Sequence, residues 1–173
     1  MTARTAGTRP DMTSTRMLDR AIAGVAAGAA GTTALNATTY LDMAVLARPA
    51  STTPEQTVGR LEDAVPSALS QDGPNSLAAD NRRSGLGALL GIAAGLGTGM
   101  AYGLIAPRLA RLPLWARGAG AGLAANVAST APMTALGVTD PRRWPGNSWI
   151  RDLVPHVAFG VATAAVFRRL TDS

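Results

Sequence analysis

The chain has 173 residues, of which 47% are hydrophobic but only 4% aromatic, and a formal net charge of +5. The length suits one domain, and the 19 glycines indicate a hydrophobic protein built from small residues. The lack of cysteine excludes disulfides, thiol catalysis and cysteine metal sites. All 16 basic residues are arginine, which indicates a GC-rich bacterial genome, and they are too scattered to favour a nucleic-acid surface.

The N-terminal third predicts a tail, a first span and a polar connection. Residues 1–16 are polar and aperiodic, so we expect a disordered cytoplasmic tail, assigned to residues 1–20. Ala21 to Leu41 is a charge-free run of 21 residues, which predicts a transmembrane span over about residues 21–45. A cleaved signal peptide is the alternative, but its apolar region is normally about 7 to 15 residues long.

The polar connection contains a helix start. Thr53 suits an N-cap, Pro54 the first helical position and Gln56 the closing residue of a capping box. We therefore expect a short amphipathic helix from Pro54 to about Ala64, in the first external loop, stopped by Pro66. Its apolar face would carry Val58, Leu61 and Val65. The SQDGPN sequence at residues 70–75 predicts a turn.

The second predicted span, over about residues 84–107, contains a glycine at every fourth position. The charge-free run from Ser84 to Pro107 is 24 residues long, past the length of about 20 that crosses a bilayer. Its glycines would weaken a helix in water by roughly 1 kcal/mol each, whereas in lipid they permit close helix packing. The five glycines are Gly87, Gly91, Gly95, Gly99 and Gly103.

Two further runs complete an all-α integral membrane bundle of four transmembrane helices. Gly118 to Thr139 is charge-free over 22 residues and predicts a span over about residues 118–139. The fourth span, over about residues 150–167, is short, because only 15 residues separate Asp152 from Arg168. The domain assignment is a tail at 1–20 and a transmembrane domain at 21–170. With the N-terminus inside, nine arginines lie inside and seven outside, which favours an N-in/C-in topology.

Small residues recur at a spacing of four in the other spans as well, and such stripes face neighbouring helices. We expect Gly24 and Gly28 in the first span, Gly118 and Gly122 in the third, and Gly160 in the fourth to pack against other helices. The stripes continue into polar residues in the outer half of the bundle. A candidate polar cluster therefore comprises Asn36, Tyr40, Asp42, Asn126, Thr130 and His156.

The predicted polar cluster has two interpretations. Polar side chains in hydrocarbon tend to face the bundle or a water-filled cavity, but they serve more often as interhelical contacts than as a ligand site. His156 is the only histidine, so it makes a poor metal site, although it could form a proton-sensitive pair with Asp42 or Asp152. No cofactor or metal is predicted.

No nucleotide-binding, zinc-protease or nucleophile-elbow motif is present in the sequence. The sequence therefore favours a non-enzymatic structural or accessory protein of the bacterial cytoplasmic membrane. Expected partners are the lipid bilayer and either a second copy or a larger membrane complex, with no nucleic acid. The alternatives are a small channel or transporter that uses the polar cluster and, third, a lipid-modifying enzyme.

Two stretches carry a resemblance to a known group. AGVAAGAAGTTALNATTYLDMAVLARPASTTPE, from Ala23 to Glu55, and PHVAFG, from Pro155 to Gly160, resemble small four-span bacterial inner-membrane proteins of the YagU type. The resemblance covers most of the membrane portion. It implies a location and an architecture, and it transfers no catalytic residue.

Overall fold

The computed structural model describes residues 12–64 and 76–172, and within these ranges the protein is helical with no strand. Short 3-10 helices at Ala106–Leu109 and Pro141–Arg143 lie in the connections on either side of the fourth α-helix. The five α-helices are α1 Met12–Leu46, α2 Thr53–Ala64, α3 Leu77–Ile105, α4 Leu114–Ala135 and α5 Gly146–Thr171.

The four long helices pack side by side in the order α3, α1, α5, α4, and α2 lies on α3. Neighbours run antiparallel, since Gly24 of α1 meets Gly103 of α3, whereas Gly28 meets Gly95. The start of α1, the end of α3, the start of α4 and the end of α5 all line one cavity, so they share one end of the bundle. This end of the bundle is called here the terminal end. α2 lies at the opposite end, which is called the α2 end.

Glycines bring the main chains of α1 and α3 into direct contact. A Cβ atom added at Gly24 would lie 2.5 Å from Gly99 O, and one added at Gly28 would lie 2.6 Å from Gly95 O. From the other side, a Cβ at Gly99 would overlap Gly28 Cα, and a Cβ at Gly103 would overlap Arg20 O. Any side chain at these positions would separate the two helices.

The glycine stripe of α3 does not face one neighbour along its whole length. A step of four residues advances a helix about 40° beyond a full turn, so the stripe rotates about 120° between Gly103 and Gly91. A Cβ at Gly91 would accordingly meet nothing within 4 Å, which corrects the expectation that this glycine packs against a helix. Gly87 has rotated further and packs against α2, where a Cβ would lie 2.9 Å from Pro54 Cβ.

The contact of α4 with α5 also contains glycines. A Cβ at Gly118 would lie 3.3 Å from Val161 Cα, and one at Gly122 would overlap His156 O. A Cβ at Gly160 would overlap Gly118 O. Between α1 and α5 the close residue is Gly31, which the spacing of four did not include and whose Cβ would lie 2.8 Å from Phe159 Cδ2.

Helix ends differ from the sequence-based boundaries. α1 begins at Met12, so residues 12–20 of the predicted tail are helical, and residues 1–11 lie outside the described ranges. α5 begins at Gly146 and has 26 residues, so it is longer than the predicted fourth span. The sequence-based spans end at charged residues because a bilayer would exclude them, whereas a helix itself can continue through charged residues.

Among residues 12–64 and 76–172, two helices are long and apolar enough to cross a membrane: α3 with its 3-10 extension, over Leu77–Leu109, and α5, over Gly146–Thr171. The all-helical fold is confirmed, whereas a bundle of four spans is not. α1 and α4 are long enough, but polar residues inside them lower their hydropathy. These include Asn36 with its neighbouring threonines in α1 and Asn126 with Ser129 and Thr130 in α4.

The predicted short helix is present as α2, Thr53–Ala64, one residue longer at its start than expected. Gln56 reaches back to Thr52 rather than Thr53, with Gln56 Nε2 donating to Thr52 Oγ1 at 2.9 Å. On its inner face Val58 is buried, while Leu61 is exposed. The predicted helix stop at Pro66, the third apolar residue Val65 and the turn at 70–75 lie outside the described ranges.

Candidate functional site

Polar side chains meet between α4 and α5 at the α2 end of the bundle, just beyond the contact of Gly122 with His156. Asn126 Nδ2 donates to Asp152 Oδ2 and lies 3.4 Å from His156 Nδ1. Ser129 Oγ lies 3.4 Å from His156 Nε2. We call these four residues, Asn126, Ser129, Asp152 and His156, the α4–α5 polar cluster.

The helices position this cluster by regular spacing. Asn126 follows Gly122 by one turn of α4, so it points to the same neighbour, α5. Asp152 precedes His156 by one turn of α5, so the two side chains are neighbours on the same face of that helix. Asn126 is buried and the imidazole of His156 is only 12% exposed, so the amide–carboxylate bond is largely shielded from water.

The hydrogen bonds of His156 define which ring nitrogen carries a proton. Its Nδ1 lies 2.6 Å from Asp152 O, a carbonyl that can only accept, so Nδ1 carries the proton. In the neutral ring, Nε2 is then an acceptor that faces Ser129 Oγ. Nδ1 also lies 3.7 Å from Asp152 Oδ1, so a charged imidazolium would gain an ion pair there.

Ser129, His156 and Asp152 occur in the spatial order of a serine hydrolase triad, but their bonds differ from those of a triad. Ser129 Oγ donates to Asn126 O of its own helix at 3.0 Å, rather than to His156. The Asp152 carboxylate accepts a hydrogen bond from the Asn126 side-chain amide. His156 Nδ1 bonds to the main-chain carbonyl of Asp152 instead of to that carboxylate. A triad base must take the serine proton and must be oriented by the acid. The arrangement therefore favours interhelical bonding over nucleophilic catalysis.

The structure divides the predicted polar cluster. Asn126 and His156 come together, but no hydrogen bond joins Asn36 or Thr130 to His156 in the described part of the chain. Tyr40 is 62% exposed, and Asp42 forms an ion pair with Arg48 in its own segment, not with His156. The cause is again the rotation of about 40° per step of four residues, which takes Tyr40 about 160° away from Gly24 around α1.

Two members of the α4–α5 polar cluster, Ser129 and Asp152, were not in the predicted polar cluster, although Asp152 was named as one of two possible partners of His156. The sequence contained a pattern that indicates Asp152, since a carboxylate four residues before a histidine shares its helix face. Ser129 follows Asn126 by three residues and also shares its face. The missing information was the rotation of α4 relative to α5, which decides which face of each helix is internal.

Metal ligands and cavities give no further support to a reactive site here. Within residues 12–64 and 76–172, no group of three or more histidine, aspartate or glutamate side chains is placed to hold a metal ion. A cavity of about 540 Å³ lies at the terminal end, and one of about 350 Å³ lies beside the loop after α4. Neither of these two cavities is lined by a residue of the α4–α5 polar cluster.

Comparisons with known protein families, with curated proteins and with solved structures give no match to this chain. The resemblance to YagU-type proteins therefore stays a prediction.

Proposed function

We propose that the protein is a multi-pass membrane protein with a structural or accessory, non-catalytic role in a bacterial cytoplasmic membrane. The observation that carries the membrane location is the distribution of apolar side chains. In the described residues, 25 large hydrophobic side chains are exposed, whereas the buried hydrophobic residues larger than alanine number four. These four are Val58, Tyr102, Phe159 and Phe167.

A soluble protein of this composition would bury its large apolar side chains, because their burial is the main force for folding in water. Here the interior is filled by alanine and glycine, and the leucines and valines point outward. Examples on three helices are Leu89 at 61%, Leu123 at 59% and Val161 at 53% exposure. Lipid as solvent explains both observations, since it accommodates large apolar side chains and permits close helix contact.

The proposal includes four spans, although α1 and α4 are less apolar than α3 and α5. α1 lies between α3 and α5, and Ala27 of α1 is fully buried there. If α3 and α5 cross the bilayer, α1 is held at the same depth, and α4 is held there by its contact with α5. Orientation follows from the arginines around the terminal end, which give an N-in/C-in topology.

Labelling of single cysteines tests this topology, since the chain contains no cysteine of its own. Asn147→Cys at the start of α5 is expected to react with a membrane-impermeant thiol reagent on intact cells. Leu112→Cys, in the loop between α3 and α4, is expected to react only after the cells are opened. Labelling of Leu112→Cys alone on intact cells would reverse the orientation, and labelling of both would exclude the four-span bundle.

A small channel or transporter is the second candidate, and the observation that favours it is the α4–α5 polar cluster. Polar and ionisable groups inside a membrane often mark an ion or proton path. The two candidates predict different proton permeabilities for liposomes that contain the purified protein. A pH-sensitive dye inside the liposomes measures this permeability. The structural role predicts liposomes as tight to protons as protein-free ones. A leak that His156→Gln abolishes would support the transporter and overturn the structural role.

A further inference from the structure

The cavity of about 540 Å³ at the terminal end is built from all four long helices. Its size lies within the range of about 300 to 1,000 Å³ that is usual for small-molecule sites. Four arginines line it, one pair from the start of α1 and one each from α4 and α5: Arg16, Arg20, Arg117 and Arg168. The cavity thus gathers basic side chains that are far apart in sequence.

The cavity combines a basic rim with an apolar floor. Tyr102 and Phe167, both buried, meet edge to face at the floor with ring centroids 5.4 Å apart. Ala23 and Ala106 line the same region, and Leu170 lies beside the arginine of α5. A ligand that fits this lining carries an anionic group and an apolar part.

The positive charge of the rim is only partly compensated. Asp19 and Asp172 also line the cavity, so the arginines outnumber the acids by four to two. Within residues 12–64 and 76–172, Arg16, Arg20 and Arg168 form no ion pair within 4.0 Å and no side-chain hydrogen bond. Their guanidinium groups are available for an anion.

The fourth arginine has a different role. Arg117 donates from Nε to Leu112 O at 2.8 Å and from a terminal nitrogen to Ala110 O at 2.5 Å. These bonds fix the loop between α3 and α4 and hold the guanidinium at the wall of the cavity. Substitution of Arg117 would therefore disturb the loop as well as the charge, so it is unsuitable as a test of binding.

We propose that this cavity binds the phosphate group of an anionic phospholipid. Guanidinium groups are well matched to phosphate oxygens in charge and geometry, and basic pockets between helices at the cytoplasmic surface suit anionic headgroups. Two features favour a lipid over a free phosphate. One is the apolar floor, and the other is the position of the cavity along the helices, where the charge-free stretch of α1 begins and that of α3 ends. The inference rests on the proposed membrane location.

The test measures lipid binding to the purified full-length protein in a neutral detergent. A short-chain phosphatidylglycerol and a phosphatidylcholine with the same acyl chains are titrated separately, and bound lipids are counted by native mass spectrometry. The first phosphatidylglycerol is expected to bind at least about 25-fold more tightly than phosphatidylcholine, since each arginine near an anionic headgroup contributes about fivefold in affinity and at least two take part. Equal affinities would overturn the proposal.

The variants assign that preference to the cavity. The double variant Arg20→Gln with Arg168→Gln should lose about 25-fold in phosphatidylglycerol affinity and leave phosphatidylcholine binding unchanged. The matched control is Arg108→Gln with Arg111→Gln, which removes the same charge from the same end, where both residues are exposed and neither lines the cavity. Equal losses in the two double variants would show only general attraction and would overturn the site.

Two further measurements keep the outcomes distinct. Thermal unfolding without added lipid should be the same for wild type and the Arg20/Arg168 variant, because neither guanidinium forms an ion pair or a hydrogen bond with another described residue. If that variant is unstable, the double variant Arg16→Gln with Arg168→Gln, which removes two exposed arginines, is used instead. It should also lose about 25-fold in phosphatidylglycerol affinity. Inorganic phosphate and glycerol phosphate at millimolar concentration should not displace the lipid, and displacement would assign the site to a soluble anion.

Failure of the membrane location gives a different result from failure of the site. A protein that remains soluble and monomeric without detergent would overturn both inferences. A protein that inserts into neutral lipid but shows no preference for phosphatidylglycerol would overturn the phosphate site alone.

Discussion

The two glycine-containing contacts, α1 with α3 and α4 with α5, are built differently along their length. Between α1 and α3, main chain meets main chain from Arg20 to Gly28. One turn further along α1, a Cβ added at Gly95 would meet the Thr32 side chain, whose hydroxyl donates to Gly28 O of its own helix at 2.9 Å. Between α4 and α5, the glycines Gly118, Gly122 and Gly160 occupy only the half near the terminal end. The other half is the α4–α5 polar cluster.

In the proposed membrane location, the difference gives two ways to join helices without a hydrophobic effect between them. Close main-chain contact gains dispersion over many atoms and tolerates no added atom. A polar pair contributes about 0.6 kcal/mol on average in a membrane and tolerates adjustment of its geometry. The first contact is therefore expected to be the more sensitive to single substitutions.

The largest effect is expected from Gly99→Ala. A Cβ atom at this position would overlap Gly28 Cα and would lie 2.5 Å from Gly24 O, and main-chain atoms cannot rotate away as a side chain can. We expect the free energy of unfolding to fall by about 3 kcal/mol, at the upper end of the usual cost of overpacking. Unfolding in detergent, followed by circular dichroism, measures the change.

The matched control is Gly97→Ala, two residues away on the same helix, where a Cβ would meet nothing within 4 Å. Its stability should be unchanged or increased by up to about 1 kcal/mol, because alanine favours a helix more than glycine does. Equal losses for the two variants would contradict the α1–α3 contact.

The second effect concerns the bond between Asn126 and Asp152. We expect Asn126→Ala and Asp152→Ala each to lower the free energy of unfolding by about 1 kcal/mol. Because one bond is lost in both, the double variant should be less destabilised than the sum of the two. A double-mutant cycle measures this coupling, which we expect to lie between about 0.5 and 1.5 kcal/mol. Strict additivity would show that the two side chains do not interact.

The sequence was sufficient for the helices and insufficient for their neighbours, for a physical reason. Charge-free runs indicate α1, α3, α4 and α5 because an apolar run is a property of each helix separately. Which residues meet depends on the rotation of each helix and on its partners. For this reason Gly95 to Gly103 were correctly expected to face a helix, whereas Gly91 was not distinguished from them.

The same limit applies to the candidate site. Asn126 and His156 were grouped correctly by depth, because both lie in the half of the bundle away from the terminal end. Depth could not separate Thr130 from Ser129, two adjacent residues that differ by about 100° around α4. Nor could it show that Asp42 bonds locally to Arg48, within six residues of the same segment.

The smallest effect on global stability is expected from Gly87→Ala, at the contact of α2 with α3. A Cβ there would lie 2.9 Å from Pro54 Cβ and 3.1 Å from Pro54 C, which is tighter than normal contact. The neighbour belongs to a separate short helix that can move outward as a unit. The cost is therefore a local loosening of α2, offset in α3 by the higher helix propensity of alanine, and the net change in the free energy of unfolding should be within about 0.5 kcal/mol.

Amide hydrogen exchange measures whether α2 is loosened in Gly87→Ala when global stability is unchanged. In Gly87→Ala, amide protons of α2 should exchange several-fold faster, while those of α1, α4 and α5 keep their rates. Gly91→Ala, one turn further along α3 and open to its surroundings, should leave α2 unchanged. If Gly87→Ala instead lowers global stability as much as Gly99→Ala, then α2 is an integral part of the bundle, and the sensitivity of a contact depends on overlap alone rather than on whether the neighbouring helix is free to move.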